Sequence, residues 1–278
     1  MEEVYAIVYP VAGMSSRFGG PKWFAEVGPE GESLIEYSTN QAIAAGFNRV
    51  VFIVSDNTEK IVREKFGLNY RGASVFYTSQ KFDSKYRDKP WGTTDALCTT
   101  KNIINSPFVF CNGDDIYGEG AFRALIDHLK KEPGKAGTLG YNLVSTLPDD
   151  GGCNRAIFHL SEDSHVTDIK ETLGIEKNDL EKHGLEGDEA CSLNIFALHP
   201  EVLDELDKLL EQFKEENKGS RTAECLLPTE MANLIKQDKV KMVCHSTNEP
   251  WYGITNPGDE KIVREQLKKM KDKGIEVF

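Results

Sequence analysis

A Cys-x-x-Cys pair is missing from this sequence. Its six cysteines stand at 98, 111, 153, 191, 225 and 244, a scatter that excludes the usual zinc spacings and a disulfide framework. Four of them (111, 191, 225 and 244) lie in apolar segments, where a thiol behaves as a small hydrophobe, so a reducing, cytoplasmic compartment is expected. Basic charge is also short. Lys plus Arg is 33 against 45 Asp plus Glu, a formal net charge of −12, which argues against long nucleic acid as a partner. Met1-Glu2-Glu3 carries no basic stretch, and the apolar run behind it is too short for a signal core or a membrane span. Walker A and Gly-x-Gly-x-x-Gly sequences are absent, as are repeats and low-complexity linkers. The six histidines are dispersed and carry no assigned role.

What is present is concentrated near the start. Val4 to Val11 is apolar and aromatic and reads as a buried strand. It runs into Ala12, Gly13, Ser15, Ser16, Arg17, Gly19, Gly20 and Lys22. Small residues let a backbone approach a bulky anion with its N–H groups, while Arg17 and Lys22 add a planar fork and a point charge. A strand opening into such a loop suits a nucleoside triphosphate, although glycine is common at any strand-loop junction.

The remaining chain alternates. Helix is expected from a Ser33 cap to Ala45 with Gly46 as its stop, and strand over 49–55. A short helix capped by Asp56 or Asn57 follows, then strand over 73–80 and a polar, aromatic loop over 81–92. Thr93 opens a helix to Ile104, Phe108 to Asn112 is strand, and Gly118 to Lys131 is helix. Such alternation predicts an α/β fold with a mostly parallel central sheet covered by helices on both faces, whose ligands sit beyond the carboxyl ends of the strands. From Lys135 the pattern changes to a smaller antiparallel part: strands over 136–143 and 155–160 with a return near 166–170, then a charged stretch over 175–188. An apolar strand over 191–198, helices over 200–217 and 222–236, a strand over 240–245 and a basic helix over 259–273 complete the chain. The expectation is one domain over 1–278, with a nucleotide-binding half (1–134) and a substrate-facing half (135–278).

Asn112-Gly113-Asp114-Asp115 ends the fourth strand, where two acids after a glycine can hold a hard divalent cation; an Asx turn capping the next helix is the plainer alternative. In Pro90-Trp91-Gly92-Thr93, Gly92 allows close backbone approach and Thr93 can cap a helix. Gln80 can hydrogen-bond a base edge or lie solvated at its strand end. Thr255 and Asn256 can complete a metal site, or Asn256 can cap the closing helix.

These stretches, with Ser192-Leu193-Asn194, Ala223-Glu224-x-x-x-Pro228 and Trp251-Tyr252-Gly253-Ile254-Thr255, resemble the sugar-1-phosphate nucleotidylyltransferases that make NDP-sugars. The resemblance implies a GT-A-like, Rossmann-related sheet. It also implies a single in-line displacement, in which a sugar-1-phosphate oxygen attacks the α-phosphorus of an NTP and pyrophosphate leaves. Such chemistry rests on positioning and charge neutralisation. By that likeness Arg17, Lys22 and Asp114 are catalytic, and Ala12, Gly13, Gln80, Gly92 and Thr93 bind the nucleotide. Glu171, Asn194 and Glu224 take the sugar phosphate, and Asp114 with Thr255 or Asn256 holds Mg²⁺. The substrates would be an NTP and a sugar 1-phosphate, with no nucleic acid or membrane partner.

Three rivals remain at this level. They are a cytidylyltransferase acting on an alcohol or polyol phosphate, a GT-A glycosyltransferase, and a non-catalytic nucleotide sensor.

Overall fold

The computed structural model describes residues 3–13, 21–254 and 258–272, with side chains to 269. In chain order, β1 is Ala6–Pro10, α1 Leu34–Ala45, β2 Arg49–Val54, α2 Glu59–Phe66, β3 Asn69–Tyr70 and β4 Ala73–Ser79. Then come α3 Thr93–Cys98, β5 Phe108–Phe110, β6 Asp115–Ile116, α4 Glu119–Lys131 and β7 Ala136–Asn142. β8 is Cys153–Leu160, β9 Val166–Ile175, β10 Ala190–Ser192 and β11 Phe196–Leu198. The chain closes with α5 Val202–Glu216, α6 Leu227–Lys236, β12 Met242–Ser246, β13 Tyr252–Gly253 and α7 Asp259–Asp272. The fold is mixed α/β. Its contacts gather into two units, Met1–Lys81 with Cys111–Ile126 and Glu249–Phe278, and Phe82–Phe110 with Asp127–Asn248.

The first unit holds three parallel strands. β2 pairs in parallel with β1 and with β4, and β3 adds an antiparallel edge to β4. β1 and β2 are buried along almost their whole length, as strands covered on both faces must be. α1 starts and stops where local chemistry predicts. The Glu36 carboxylate accepts from the Ser33 backbone N–H at 2.9 Å, and Gly46 closes the helix at φ +116°. A two-stranded ribbon, β13 antiparallel to β6, packs through Ile116 and Ile254 into a cluster with Leu34, Tyr37, Val263 and Leu267.

The second unit orders its strands β5-β11-β7-β10-β8-β9, all antiparallel, with β12 added in parallel to β7. The expected hairpin is β8–β9, and its return strand runs on to Ile175. The charged stretch behind it holds only a single turn, Leu180–His183.

Several boundaries move, each for a local reason. Thr58, fully buried, takes the cap position of α2 in place of Asp56 or Asn57. α3 ends at Cys98 and does not reach Ile104. The Thr99 and Thr100 hydroxyls each donate at 2.7 Å to a carbonyl three residues back, competing with the helical pattern. The strand expected over 191–198 is two strands. It breaks at Asn194, whose φ is +59° and whose N–H donates to the Ser192 hydroxyl at 3.0 Å. α6 begins at Leu227, five residues after the expected start. Among the described residues no helix is long and apolar enough to cross a membrane.

Candidate active site

In the first unit the carboxyl ends of β1, β2 and β4 are tied to one another. The Val11 N–H donates to Ile53 O at 2.8 Å, the Gln80 N–H to Val54 O at 2.9 Å, and the Ser55 hydroxyl to Ala12 O at 2.9 Å. Gln80 is 8% exposed, so it is not the solvated strand end that its polarity allowed. Trp23, buried in the one-turn helix Lys22–Phe24, donates from Nε1 to Gly13 O at 3.3 Å and ties Lys22 back to the loop after β1.

Gly113 brings the acidic turn onto the same edge. A Cβ there would lie 2.8 Å from Val11 Cγ1 and 3.0 Å from Pro10 O, so only glycine lets the 112–114 turn settle on the end of β1. Asp114 follows directly. Burial pushes its carboxyl above the usual range, and the Lys22 ammonium pulls it back down. Lys22 and Asp114, ninety-two residues apart in the chain, therefore act on each other.

The two acids have different surroundings. Asp115 Oδ2 accepts from Asn112 Nδ2 at 2.9 Å and from the Tyr117 hydroxyl at 3.2 Å, and its backbone pairs with Gly253 across the ribbon. Burial raises its pKa and the Asp114 charge raises it further, while hydrogen bonds from Asn112, Tyr117 and Trp251 oppose the shift. Asp115 is thus built into the turn by side-chain hydrogen bonds, whereas the Lys22 charge acts on Asp114. Among the described residues no group of three or more His, Cys, Asp or Glu side chains could hold a metal ion. Arg17, Thr255 and Asn256 lie outside the described residues.

The second unit carries the other named residues. Gly92 has φ +102°, and a Cβ there would sit 2.6 Å from Cys225 O. The close approach that requires glycine is to the protein's own backbone. Cys225 N–H donates to Trp91 O at 2.7 Å, and Thr94 N–H to Cys225 O at 3.1 Å. Thr93 does not cap α3. Gly92 holds the cap position, and Thr93 Oγ1 instead accepts from the Leu227 N–H at 2.8 Å. Glu224 is ion-paired with Lys89.

Glu171 and Asn194 lie near one row of the sheet. Ser192 pairs with Ala156 and Ala156 with Glu171, so Glu171 stands about 10 Å across two strand spacings from the residue two before Asn194. Partial desolvation raises the Glu171 carboxyl, and the Arg155 charge opposes it. The structure thus places Ala12, Gly13, Lys22, Gln80 and Asp114 in the first unit and Gly92, Thr93, Glu171, Asn194 and Glu224 in the second.

Sequence reasoning passed over the charged run Arg87-Asp88-Lys89, each member of which is bonded to the segment 220–224. Its one visible sign was a Tyr-Arg-Asp-Lys string too charged for an idle loop of that length.

Comparison with known proteins follows the same outline. Residues 21–227 match the sequence profile of the family described as Nucleotidyl transferase. No curated protein sequence matches the chain. Among solved structures, a glucose-1-phosphate thymidylyltransferase from Bacillus anthracis in complex with sucrose superposes with TM-score 0.69 at 15% identity, covering 95% of each chain. A UDP-glucose pyrophosphorylase complexed with UDP-glucose gives 0.67 at 14% identity, covering 96% of this chain and 99% of that one. The inositol-1-phosphate CTP transferase of T. maritima gives 0.65 at 15% identity, covering 97% of each. At such identities the superpositions speak to fold. The sequence profile, spanning well over half the chain, carries the assignment: this protein belongs to the nucleotidyl transferase family.

Proposed function

We propose that the chain transfers a nucleoside monophosphate from an NTP to a sugar 1-phosphate, releasing pyrophosphate. One observation carries the reading. The Lys22 charge acts on the Asp114 carboxyl, and Gly113 lets the turn that carries Asp114 settle against Val11 and Pro10 at the end of β1. A phosphoryl-transfer centre needs fixed positive charge for the phosphates and an acid to hold their cation, without a covalent nucleophile.

In this reading Lys22 neutralises charge that builds on the α-phosphate as the acceptor oxygen attacks, and Arg17 grips the departing pyrophosphate. The Gly13 loop offers backbone N–H groups, and the Gln80 amide meets the base edge. Asp114 suits Mg²⁺, since its buried carboxyl gains from a nearby dication and Mg²⁺ commonly takes one or two carboxylates plus phosphate oxygens. The ion would supply charge neutralisation between the phosphates; Thr255 or Asn256 would complete its shell. Glu171, Asn194 and Glu224 would take acceptor hydroxyls. The free cysteines suit a reducing, cytoplasmic setting.

A second reading, transfer of CMP to a polyol phosphate, is supported by the inositol-1-phosphate CTP transferase. That protein superposes nearly as well as the sugar-linked ones and over 97% of both chains. Pyrophosphate release should be measured with four NTPs against hexose 1-phosphates and polyol phosphates, with and without Mg²⁺. Turnover confined to CTP and a polyol phosphate favours the second reading, and no Mg²⁺-dependent release with any pair defeats both.

A further inference from the structure

Arg87 is 4% exposed, and its bonds go to carbonyl oxygens. Nε donates to Lys89 O at 3.0 Å, one terminal nitrogen to Ser220 O at 2.9 Å, and the other to Ala223 O at 2.5 Å and Pro90 O at 3.4 Å. Its guanidinium carbon lies 3.3 Å from the centre of the Trp91 ring. Among the described residues no carboxylate pairs with it. A buried cation held by backbone dipoles and an aromatic face is expensive to desolvate, and a small apolar side chain would fill the space without that cost. What an apolar residue cannot do is join two chain segments at four carbonyls.

The next two residues repeat the connection. Asp88 accepts from Arg221 Nε at 2.9 Å while its own N–H donates to Arg221 O at 3.0 Å, and Lys89 pairs with Glu224. Three consecutive residues thus fasten the segment 220–224. This is the segment whose sequence favours helix from Thr222, yet α6 does not begin until Leu227, and Leu226 is extended at φ −87° and ψ 130°. Pro228 in the first turn of α6 bars a helix that would run on from Thr222, and the fastening takes up the Ser220 and Ala223 carbonyls of the extended segment.

We propose that Arg87 is a positioning residue of the acceptor site. By clasping Ser220 and Ala223 it fixes the course of residues 222–226, so that Glu224 and the Gly92–Thr93 turn are presented in one register. The inference rests on the acceptor role proposed for Glu224, whereas the clasp itself can be read without substrate.

The test uses R87Q and R87K in the full chain. In R87Q the KM for the acceptor phosphate should rise about tenfold, with kcat within about threefold of the parent, because the chemistry at Asp114 is untouched. R87K keeps the charge without the fork and should recover only a small part of the loss. A purely structural role would lower the folded fraction, and so apparent kcat, while leaving KM alone; that outcome overturns the proposal, as does full recovery by R87K. Hydrogen exchange at the Cys225 and Leu227 amides, which donate to Trp91 O and Thr93 Oγ1, should quicken in either variant. Unchanged protection there also overturns it. If the parent chain turns over no substrate pair, the function reading fails, and exchange alone decides the clasp.

Discussion

The two units position their candidate residues by different physics. In the first, the residues stand at the ends of buried parallel strands, and backbone geometry places them: Gly113 against Pro10, Ala12 against Ser55, Gln80 against Val54. The acids there are held above their ordinary pKa range by desolvation. In the second, the residues stand on loops and hairpins, and side chains tie them together, as in the Lys89–Glu224 and Asp88–Arg221 pairs. A site made from strand ends is fixed by the sheet. One made from loops has to be fastened by groups that do nothing else.

The sharpest contrast is expected at the buried acid. Replacing Lys22 or Asp114 with alanine should lower kcat at least about a hundredfold if each stabilises transition-state charge, and steady-state pyrophosphate release reads it. D114N should combine that loss with a denaturation midpoint equal to or above the parent, a gain of up to about 1 kcal/mol, because it removes an ionised carboxylate that burial disfavours. A D114N protein that is both active and destabilised breaks the comparison, since Asp114 would then be structural.

Glycine substitutions come next. G113A pushes on Val11 and Pro10, and G92A pushes on the Cys225 backbone at an already left-handed φ. Each should cost about 1–3 kcal/mol of stability from overpacking and strain. Their kinetics should diverge. G113A displaces Asp114 and should lower kcat, by about a hundredfold for a displacement near 1 Å, whereas G92A shifts the 225 segment and should raise acceptor KM. Identical kinetic effects would mean the two units do not divide the labour.

The smallest effect is in pH dependence. In the second unit His128 Nε2 lies 3.1 Å from Lys135 O, so it carries the proton, and Nδ1 is left to accept from His245 Nε2 at 3.0 Å. Burial lowers both histidine pKa values below 6.5, and the His128 charge lowers that of His245 further. The unfolded chain therefore binds more protons, and their contribution is complete above about pH 6.5 and is lost as pH falls through the folded values. The acids of the first unit have raised pKa values, so theirs runs the other way and is lost as pH rises. Denaturant midpoints at pH 7.5 and 5.5 should show a decline toward acid that an H128N/H245N pair flattens; an equal decline in that variant removes the histidines as its cause.

Much of the first unit could be read before folding was seen. The Ser33–Glu36 box and Gly46 delimit α1, and Val50 to Val54 announce a strand covered on both faces. Gly113-Asp114-Asp115 marks an acidic turn because turn chemistry is written in adjacent residues. The resemblance singled out Asp114 over Asp115, but the physical difference between them could not be read, because it depends on Tyr117 and Trp251 reaching one carboxylate and Lys22 the other. In the second unit, the short α3, the kink at Asn194 and the late start of α6 escaped notice: the first two follow from a side chain competing with a backbone bond, and the third has Pro228 in its first turn.

Periodicity and turn residues, which act over a few positions, were enough to set the α/β class, the strand that leads into the Gly13 loop and the acid that ends the run after β5. How the surroundings of Asp114 and Asp115 differ, why Gly92 must lack a side chain and how Arg87 meets the segment 220–224 were decided only by packing. The contacts at Gly92 and Arg87 join residues more than a hundred positions apart, and no local pattern encodes them.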